Sequence, residues 1–187
     1  MKKIGFFGGC FNPPTKAHIG LAKLVLEELG LDKIIFIPMN DYYEKTELIS
    51  ENHRVKMLEL LTKDEAYIEV DDFEIKLNKK IYAIDAFEYI DNNYNCEKFF
   101  IMGSDNYIKM KNWKDSHKFE NYKYIILDRL HNISLNENIK IVSNNQFSNI
   151  SSSIARKLIS EGKDASDYLT QEVYRYIKDN KLYIKEV

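Results

Sequence analysis

Short apolar runs alternate along this chain with longer segments in which apolar residues recur every three or four positions. Residues 3–7 and 33–38 are two such runs, and residues 16–29, which have helical spacing, lie between them. Gly30 stands where a left-handed helix cap is expected. Because a strand, a helix and a strand follow one another, this stretch predicts a right-handed βαβ unit with two parallel strands.

The same alternation continues to the end of the sequence. It predicts an α/β fold, namely a doubly wound, Rossmann-like parallel sheet with helices on both faces and a small C-terminal helical part at about residues 150–187. No repeat, proline-rich linker or low-complexity tract divides residues 1–187, so we expect one domain. Further strands are expected at 67–70, 99–102, 124–127 and 140–142, and further helices at 52–61 (capped by Asn52), 82–90, 151–160 and 170–179.

The composition narrows the partners that such a chain can have. The 27 basic and 29 acidic side chains give a formal net charge of -2, without the basic excess of duplex-binding proteins. No stretch approaches the roughly 20 apolar residues of a membrane span. Cys10 and Cys96 form no CxxC pair, which is typical of reduced thiols in a cytoplasmic protein. We expect small phosphorylated anions as ligands, and neither nucleic acid nor membrane as a partner.

The segment from Gly8 to His18 has the features of a phosphate-binding loop. Gly8 and Gly9 end a strand, where the absence of a Cβ lets the backbone approach a ligand. Two prolines then lead into a helix start, whose N–H groups and dipole favour an anion. His18, in the first turn, can donate a hydrogen bond to a phosphoryl oxygen. Neither GxGxxG nor a Walker loop is present, and the spacing alone is equally compatible with a simple turn and a non-catalytic histidine.

A second candidate anion site lies at residues 150–156. Three consecutive serines open a predicted helix, and each hydroxyl can cap the helix or bind an anion. Arg156 follows about one and a half turns into that helix. Taken alone, serine capping beside a surface arginine is the simpler interpretation. The presence of the first segment favours a phosphate site.

These two segments resemble the motifs of the (H/T)xGH nucleotidyltransferases. Thr15-Lys16-Ala17-His18 is similar to that signature, with Ala17 replacing the usual glycine, and residues 150–156 are similar to the ISSTxxR motif, with Ser153 in the threonine position. The resemblance implies His18 and Arg156 as catalytic residues. We expect Mg²⁺ to be held by the phosphates of ATP rather than by protein ligands. The ATP-binding residues so implied are Gly8, Gly9, Phe11, Thr15, His18, Gly103, Asp105, Ile150, Ser151, Ser152, Ser153 and Arg156.

The middle of the chain resembles the nicotinate and nicotinamide mononucleotide adenylyltransferases of NAD biosynthesis. The similar segments are residues 41–45, 53–58, 71–75, 82–86 and 100–106, Trp113, and the closing 176–183. The resemblance implies that Lys45 lies near the substrate phosphate, that Asp105 binds a ribose and that Trp113 stacks on the pyridine ring. The acceptor-binding residues so implied are Asn12, Lys45, Tyr82, Ala83 and Trp113.

Several alternatives stay open. Without the resemblance, the simpler interpretations are favoured: a solvated loop charge for Lys45, a helix cap for Asp105 and a core anchor for Trp113. Arg54 is expected to form a structural ion pair. Ala83 stands where bacterial nicotinate enzymes usually carry threonine, so the preference for acid or amide is open. A related transferase acting on another acceptor, such as phosphopantetheine, and a nucleotide-sensing module without turnover are the competing functions. Homo-oligomers are common in this family.

Overall fold

The computed structural model describes residues 1–42, 48–128, 136–143 and 145–184. Within these residues, six strands form one sheet in the order β3-β2-β1-β4-β5-β6, and every neighbouring pair is parallel. The predicted doubly wound, Rossmann-like sheet is therefore confirmed. The strands are β1 (Lys3–Gly9), β2 (Lys33–Pro38), β3 (Ile68–Val70), β4 (Glu97–Gly103), β5 (Tyr124–Asp128) and β6 (Ile139–Ser143).

Helices cover both faces of the sheet, as expected. Alternate residues of β1 face opposite sides: Phe7 packs into a core with α1, α2 and the C-terminal helices, and Phe6 into a core with α3, α4 and α5. Two short 3-10 helices lie at Ser116–Asn121 and Asn145–Phe147. The α-helices are α1 (Lys16–Leu29), α2 (Glu51–Thr62), α3 (Phe73–Lys76), α4 (Ala83–Asn93), α5 (Ser104–Met110), α6 (Ser152–Ser160) and α7 (Gln171–Asp179).

The helix ends follow local chemistry. Gly30 caps α1 with φ 60°, as predicted. Thr170 caps α7 by accepting a hydrogen bond from the N–H of Val173 at 3.5 Å. The expectation of Asn52 as the cap of α2 is wrong, because the helix begins at Glu51 and Ser50 holds the cap position. None of the described helices is long and apolar enough to cross a membrane.

The strand order creates a crevice at the carboxyl ends of β1 and β4. These two strands are neighbours, yet the chain leaves β1 for α1 on one face and leaves β4 for α5 on the other. Connections that diverge in this way leave a gap between them, and ligands of open α/β sheets bind there. Gly9 and Gly103, the last residues of the two strands, border this gap.

Gly20 on α1 lets a 3-10 helix lie directly against it. A Cβ at this position would lie 2.2 Å from the ring of Phe147. Because Phe147 belongs to the segment that leads into α6, this close approach brings the start of α6 beside the start of α1. Two helix N-termini thus come to the same edge of the sheet.

Candidate active site

The loop between β1 and α1 is a compact turn with a buried interior. Phe11 has φ 47° and is 2% exposed, and the Asn12–Pro13 peptide is cis. A Cβ on Gly9 would approach the Phe11 ring to 3.1 Å, so the small residue makes room for the ring. The Phe11 ring in turn lies 5.1 Å from the imidazole of His18, centroid to centroid. The loop and the first turn of α1 therefore form one packed unit.

His18 is oriented by the residue that precedes α1. Its Nδ1 lies 2.9 Å from the backbone N of Thr15, which donates to it, and 2.8 Å from Thr15 Oγ1. A ring nitrogen that accepts a backbone N–H carries no proton, so the neutral imidazole holds its proton on Nε2. This tautomer makes Nε2 a hydrogen-bond donor, the chemistry that a phosphoryl oxygen requires.

Helix α6 is attached to the same loop by two side chains. Nη1 of Arg156 donates to the carbonyl oxygen of Asn12 at 2.8 Å, and the Ser152 hydroxyl donates to the carbonyl oxygen of Pro13 at 2.7 Å. These contacts fix the N-terminus of α6 beside the β1–α1 loop. The cationic side chain and the positive end of the helix dipole therefore act on one small volume.

The three serines predicted for this helix start have different surroundings. Ser151 caps α6, with its Oγ accepting from the N–H of Ile154 at 3.2 Å. Ser152 donates to the loop, Ser153 is exposed, and Ile150 is half-buried ahead of the cap. The capping role predicted for a serine here is therefore that of Ser151, and anion binding by these hydroxyls stays a prediction.

Arg54 ties the loop to the segment that follows β2. It is 0% exposed, and its Nη1 donates to the carbonyl oxygen of Cys10 at 2.8 Å. Its Nε donates to the carbonyl oxygen of Ile49 at 3.1 Å, and its Nη2 pairs with Asp41 Oδ1 at 2.8 Å. The expected structural ion pair is therefore present. Through it and the hydrogen bond to Cys10, Arg54 connects the β1–α1 loop with the segment after β2.

The β4 side of the crevice carries Gly103 and Asp105. A Cβ on Gly103 would lie 2.8 Å from Oδ1 of Asp105, so the missing side chain lets the carboxylate fold back over the strand end. Asp105 is exposed, and its nearest cation, Lys109 on the same helix, is 3.8 Å away. Such an exposed pair contributes little to stability.

The residues predicted to bind the acceptor lie partly on the face that carries α4 and α5. Trp113 is half-buried and meets Phe119 edge to face, with ring centroids 5.7 Å apart. Tyr82 is exposed at the start of α4, with the Lys114 ammonium 4.2 Å from its ring centroid. Ala83 is the first residue of that helix. Lys45 lies outside the described residues.

Comparison with known proteins shows the family to which the chain belongs. The model of the cytidylyltransferase-like family matches residues 6–158. A probable nicotinate-nucleotide adenylyltransferase of Borreliella afzelii is 34% identical, over 99% of this chain and 98% of its own. A probable nicotinate-nucleotide adenylyltransferase of Lactococcus lactis is 32% identical, over 98% and 96%. The chain belongs to the nicotinate-nucleotide adenylyltransferase family.

Solved structures of the family share the fold. The nicotinic acid mononucleotide adenylyltransferase of Plasmodium falciparum, complexed with NaAD, superposes with a TM-score of 0.81 at 23% identity and covers 98% of each chain. The same protein complexed with APC gives a TM-score of 0.78 at 22% identity, again over 98% of each chain. The six-stranded architecture is thus that of a family member with very different sequence.

One buried charged residue, which senses the charge of Arg54, was not predicted from the sequence. Glu74 on α3 is 5% exposed, and its Oε2 has no hydrogen-bond partner within the described residues. Burial raises its pKa to about 7, against the opposing effects of the Asn40 backbone N–H and the charge of Arg54. Asn40 also donates its side-chain amide to the carbonyl oxygen of Glu74 at 3.1 Å. Glu74 stands between Phe73 and Ile75, and nothing in this local pattern predicts that a glutamate side chain is buried there.

A cleft in the described part of the chain lies away from these residues. It has a volume of about 770 Å³ and opens at the amino ends of β5 and β6, between Tyr107, Phe119 and Asn138. None of the residues predicted for the site lines it. The two helix starts, His18 and Arg156 instead meet around the β1–α1 loop.

Proposed function

We propose that this chain transfers the adenylyl group of ATP to the 5′-phosphate of nicotinate or nicotinamide mononucleotide, forming deamido-NAD or NAD and releasing pyrophosphate. The observation that carries the proposal is the convergence of His18 and Arg156 on one loop at the sheet crevice. The family membership supports the same reaction. Because α6 donates to the β1–α1 loop through two side chains, we also propose that the chain works as a single domain.

The proposed chemistry is a direct in-line transfer. A phosphate oxygen of the mononucleotide attacks the α-phosphorus of ATP, the bond from the α-phosphorus to the bridging oxygen breaks, and pyrophosphate leaves with that electron pair. Such a transfer depends on positioning and on charge stabilisation more than on covalent catalysis. His18 Nε2–H donates to the α-phosphoryl oxygen, and Arg156 holds the departing pyrophosphate. These two are the proposed catalytic residues.

The ATP half of the site is proposed at the crevice and the two helix starts. Gly8 and Gly9 let the backbone approach the phosphates. Asp105, turned back over Gly103, accepts hydrogen bonds from the ribose. The other proposed ATP contacts come from Phe11, Thr15, Ile150, Ser151, Ser152 and Ser153, together with His18 and Arg156.

The acceptor half is proposed between the β1–α1 loop and α4. Asn12 donates to the mononucleotide, Trp113 stacks on its pyridine ring, and Tyr82 and Ala83 border that ring. Lys45 is proposed to meet the acceptor phosphate. Ala83 offers no hydroxyl to a carboxylate, so discrimination between the acid and the amide is expected to be small.

Mg²⁺ is proposed to arrive with ATP. Within the described residues, no group of three His, Cys, Asp or Glu side chains could hold a metal ion. The ion usually keeps several waters and binds substrate phosphates, so we propose that phosphate oxygens and water carry it. When bound, it neutralises phosphate charge. The protein's own share is to orient the triphosphate through His18, Arg156 and the helix starts.

A panel of acceptors tests the proposal. The purified protein is given ATP, Mg²⁺ and nicotinate mononucleotide, nicotinamide mononucleotide or phosphopantetheine, and pyrophosphate and product are followed together. Dinucleotide from either mononucleotide supports the proposal, and the ratio of the two kcat/KM values gives the preference. Product from phosphopantetheine alone would assign another acceptor. ATP binding without pyrophosphate from any acceptor would assign a sensing module.

A further inference from the structure

The chain returns to the β1–α1 loop through its C-terminal segment. Four residues after the end of α7, Tyr183 has φ 63° and a half-buried ring. Its hydroxyl donates to Oδ1 of Asn12 at 2.7 Å, across 171 positions of sequence. A residue near the end of the chain therefore contacts a residue placed in the acceptor site.

This hydrogen bond defines which way the Asn12 amide faces. The backbone N of Ile49 also lies 3.5 Å from Oδ1, and a backbone N–H can only donate. The atom that faces Tyr183 is therefore the amide oxygen, and Nδ2 lies on the other side of the amide. Asn12 is 7% exposed, so its neighbours restrict its rotation.

The surroundings of Tyr183 keep its hydroxyl a donor. Burial raises the pKa of Tyr183, and the positive charges of Arg156 and Arg54 act in the opposite direction without reversing the shift. The same two arginines donate to loop carbonyl oxygens at Asn12 and Cys10. Arg54, Arg156 and Tyr183, none of which belongs to the β1–α1 loop, therefore all donate hydrogen bonds to it.

We propose that Tyr183 is a positioning residue for the acceptor: its hydroxyl fixes the Asn12 amide so that Nδ2 donates to the mononucleotide phosphate. This inference rests on the proposed function, because it needs Asn12 in the acceptor site. The segment that carries Tyr183 then serves substrate binding as well as the fold. Within the described residues, the hydroxyl of Tyr183 hydrogen-bonds only to the side chain of Asn12, which is not among the proposed ATP contacts, so we expect ATP binding to change little when this hydrogen bond is lost.

The variant Tyr183→Phe removes one hydroxyl and keeps the ring. The affinity for the mononucleotide, measured as Kd by calorimetry and as KM in turnover, is expected to weaken about tenfold, the value of one hydrogen bond. KM for ATP should stay within about twofold of wild type. The matched control is Tyr176→Phe, which removes a hydroxyl bonded to His53 at 2.8 Å and should leave both constants unchanged.

A double-mutant cycle with Asn12→Ala tests whether Tyr183 acts through Asn12. If it does, Asn12→Ala weakens mononucleotide binding by itself, and adding Tyr183→Phe changes nothing further. Additive effects, or equal losses for ATP and mononucleotide, would assign Tyr183 to general stability and overturn the proposal. A Tyr183→Phe protein that binds like wild type would do the same.

Measurements on the wild-type protein distinguish a failure of the Tyr183 proposal from a failure of the proposed function. Dinucleotide formation by wild type with an unaffected Tyr183→Phe variant would refute the positioning role alone. A wild-type protein that binds no mononucleotide in the calorimeter would overturn both proposals. Because Kd is measured without turnover, slow chemistry does not obscure the result.

Discussion

Arg156 on α6 donates to the carbonyl oxygen of Asn12 at 2.8 Å, across 144 positions of sequence. The same arginine is the residue proposed to hold the leaving pyrophosphate. Its planar guanidinium has five N–H donors, so one side chain can support the loop and bind an anion together. If the proposed pyrophosphate contact forms, this one side chain connects the loop that carries Asn12 with the triphosphate site.

Replacing Arg156 by lysine should show how much of its effect on turnover comes from the positive charge and how much from the planar guanidinium. Lysine keeps the positive charge but has no planar fork, so it can serve the Asn12 carbonyl or the pyrophosphate but not both. We expect kcat to fall by about ten- to a hundredfold. The control is Arg175→Lys, at an exposed position on α7. Wild-type turnover in Arg156→Lys, measured as pyrophosphate release, would show that the reaction does not require the guanidinium.

The Gly8→Ala variant should impair binding without impairing the fold. Among the described residues, no heavy atom lies within 4 Å of a Cβ built on Gly8, so the free energy of unfolding should change by less than about 0.5 kcal/mol. KM for ATP should rise about tenfold or more, because the methyl group points where the phosphates are proposed to lie.

Gly20→Ala is the contrasting variant, because it should lower the free energy of unfolding, which Gly8→Ala should leave unchanged. Its Cβ would overlap the Phe147 ring, so it should lose roughly 1–3 kcal/mol of stability in urea unfolding. A Gly8→Ala protein with unchanged KM for ATP would show that the backbone at Gly8 does not approach the nucleotide.

Glu74 should make stability depend on pH. Its pKa is about 7 in the folded protein against 4.5 for an unperturbed side chain, so between these values only the folded state holds the proton. The free energy of unfolding contributed by Glu74 is therefore fully present below about pH 4.5 and falls as pH rises to about 7, by roughly 3 kcal/mol. Urea unfolding of Glu74→Gln at pH 5 and pH 8 should show a smaller decrease than wild type, whereas the exposed Glu120→Gln should behave like wild type. An identical decrease in Glu74→Gln would exclude this group as the source.

Trp113 can be tested by comparing two replacements. Trp113→Phe keeps a flat ring against Phe119, whereas Trp113→Leu keeps apolar volume without an aromatic face. If the indole stacks on the pyridine ring, KM for the mononucleotide should rise more in Trp113→Leu than in Trp113→Phe, with KM for ATP nearly constant. Parallel changes in both KM values would identify Trp113 as a core anchor only.

The sequence predicted what depends on local pattern. Residues 16–29 have the spacing of α1, and Gly30 the chemistry of its cap, because both are set by contacts within a few residues. The short α3 and the two 3-10 helices were not predicted, since each spans too few residues to show a period.

The long-range contacts of the site could not be predicted in the same way. The motifs at Thr15–His18 and 150–156 pointed to one phosphate site, and the structure brings them together through Ser152 and Arg156. The contact of Tyr183 with Asn12 depends on the path of the backbone after α7, which no periodicity encodes. Burial of Glu74 likewise follows from the packing of α3 beside β2, which brings Glu74 next to Asn40.

The most direct measurement is dinucleotide formation from ATP, Mg²⁺ and nicotinate mononucleotide by wild type and His18→Ala. We expect one pyrophosphate per dinucleotide for wild type and a rate about a hundredfold lower for His18→Ala, whose thermal unfolding should be close to wild type. His117→Ala, at an exposed histidine, should keep the wild-type rate. No dinucleotide from wild type would exclude the proposed reaction, and an undiminished rate in His18→Ala would exclude His18 as a catalytic residue.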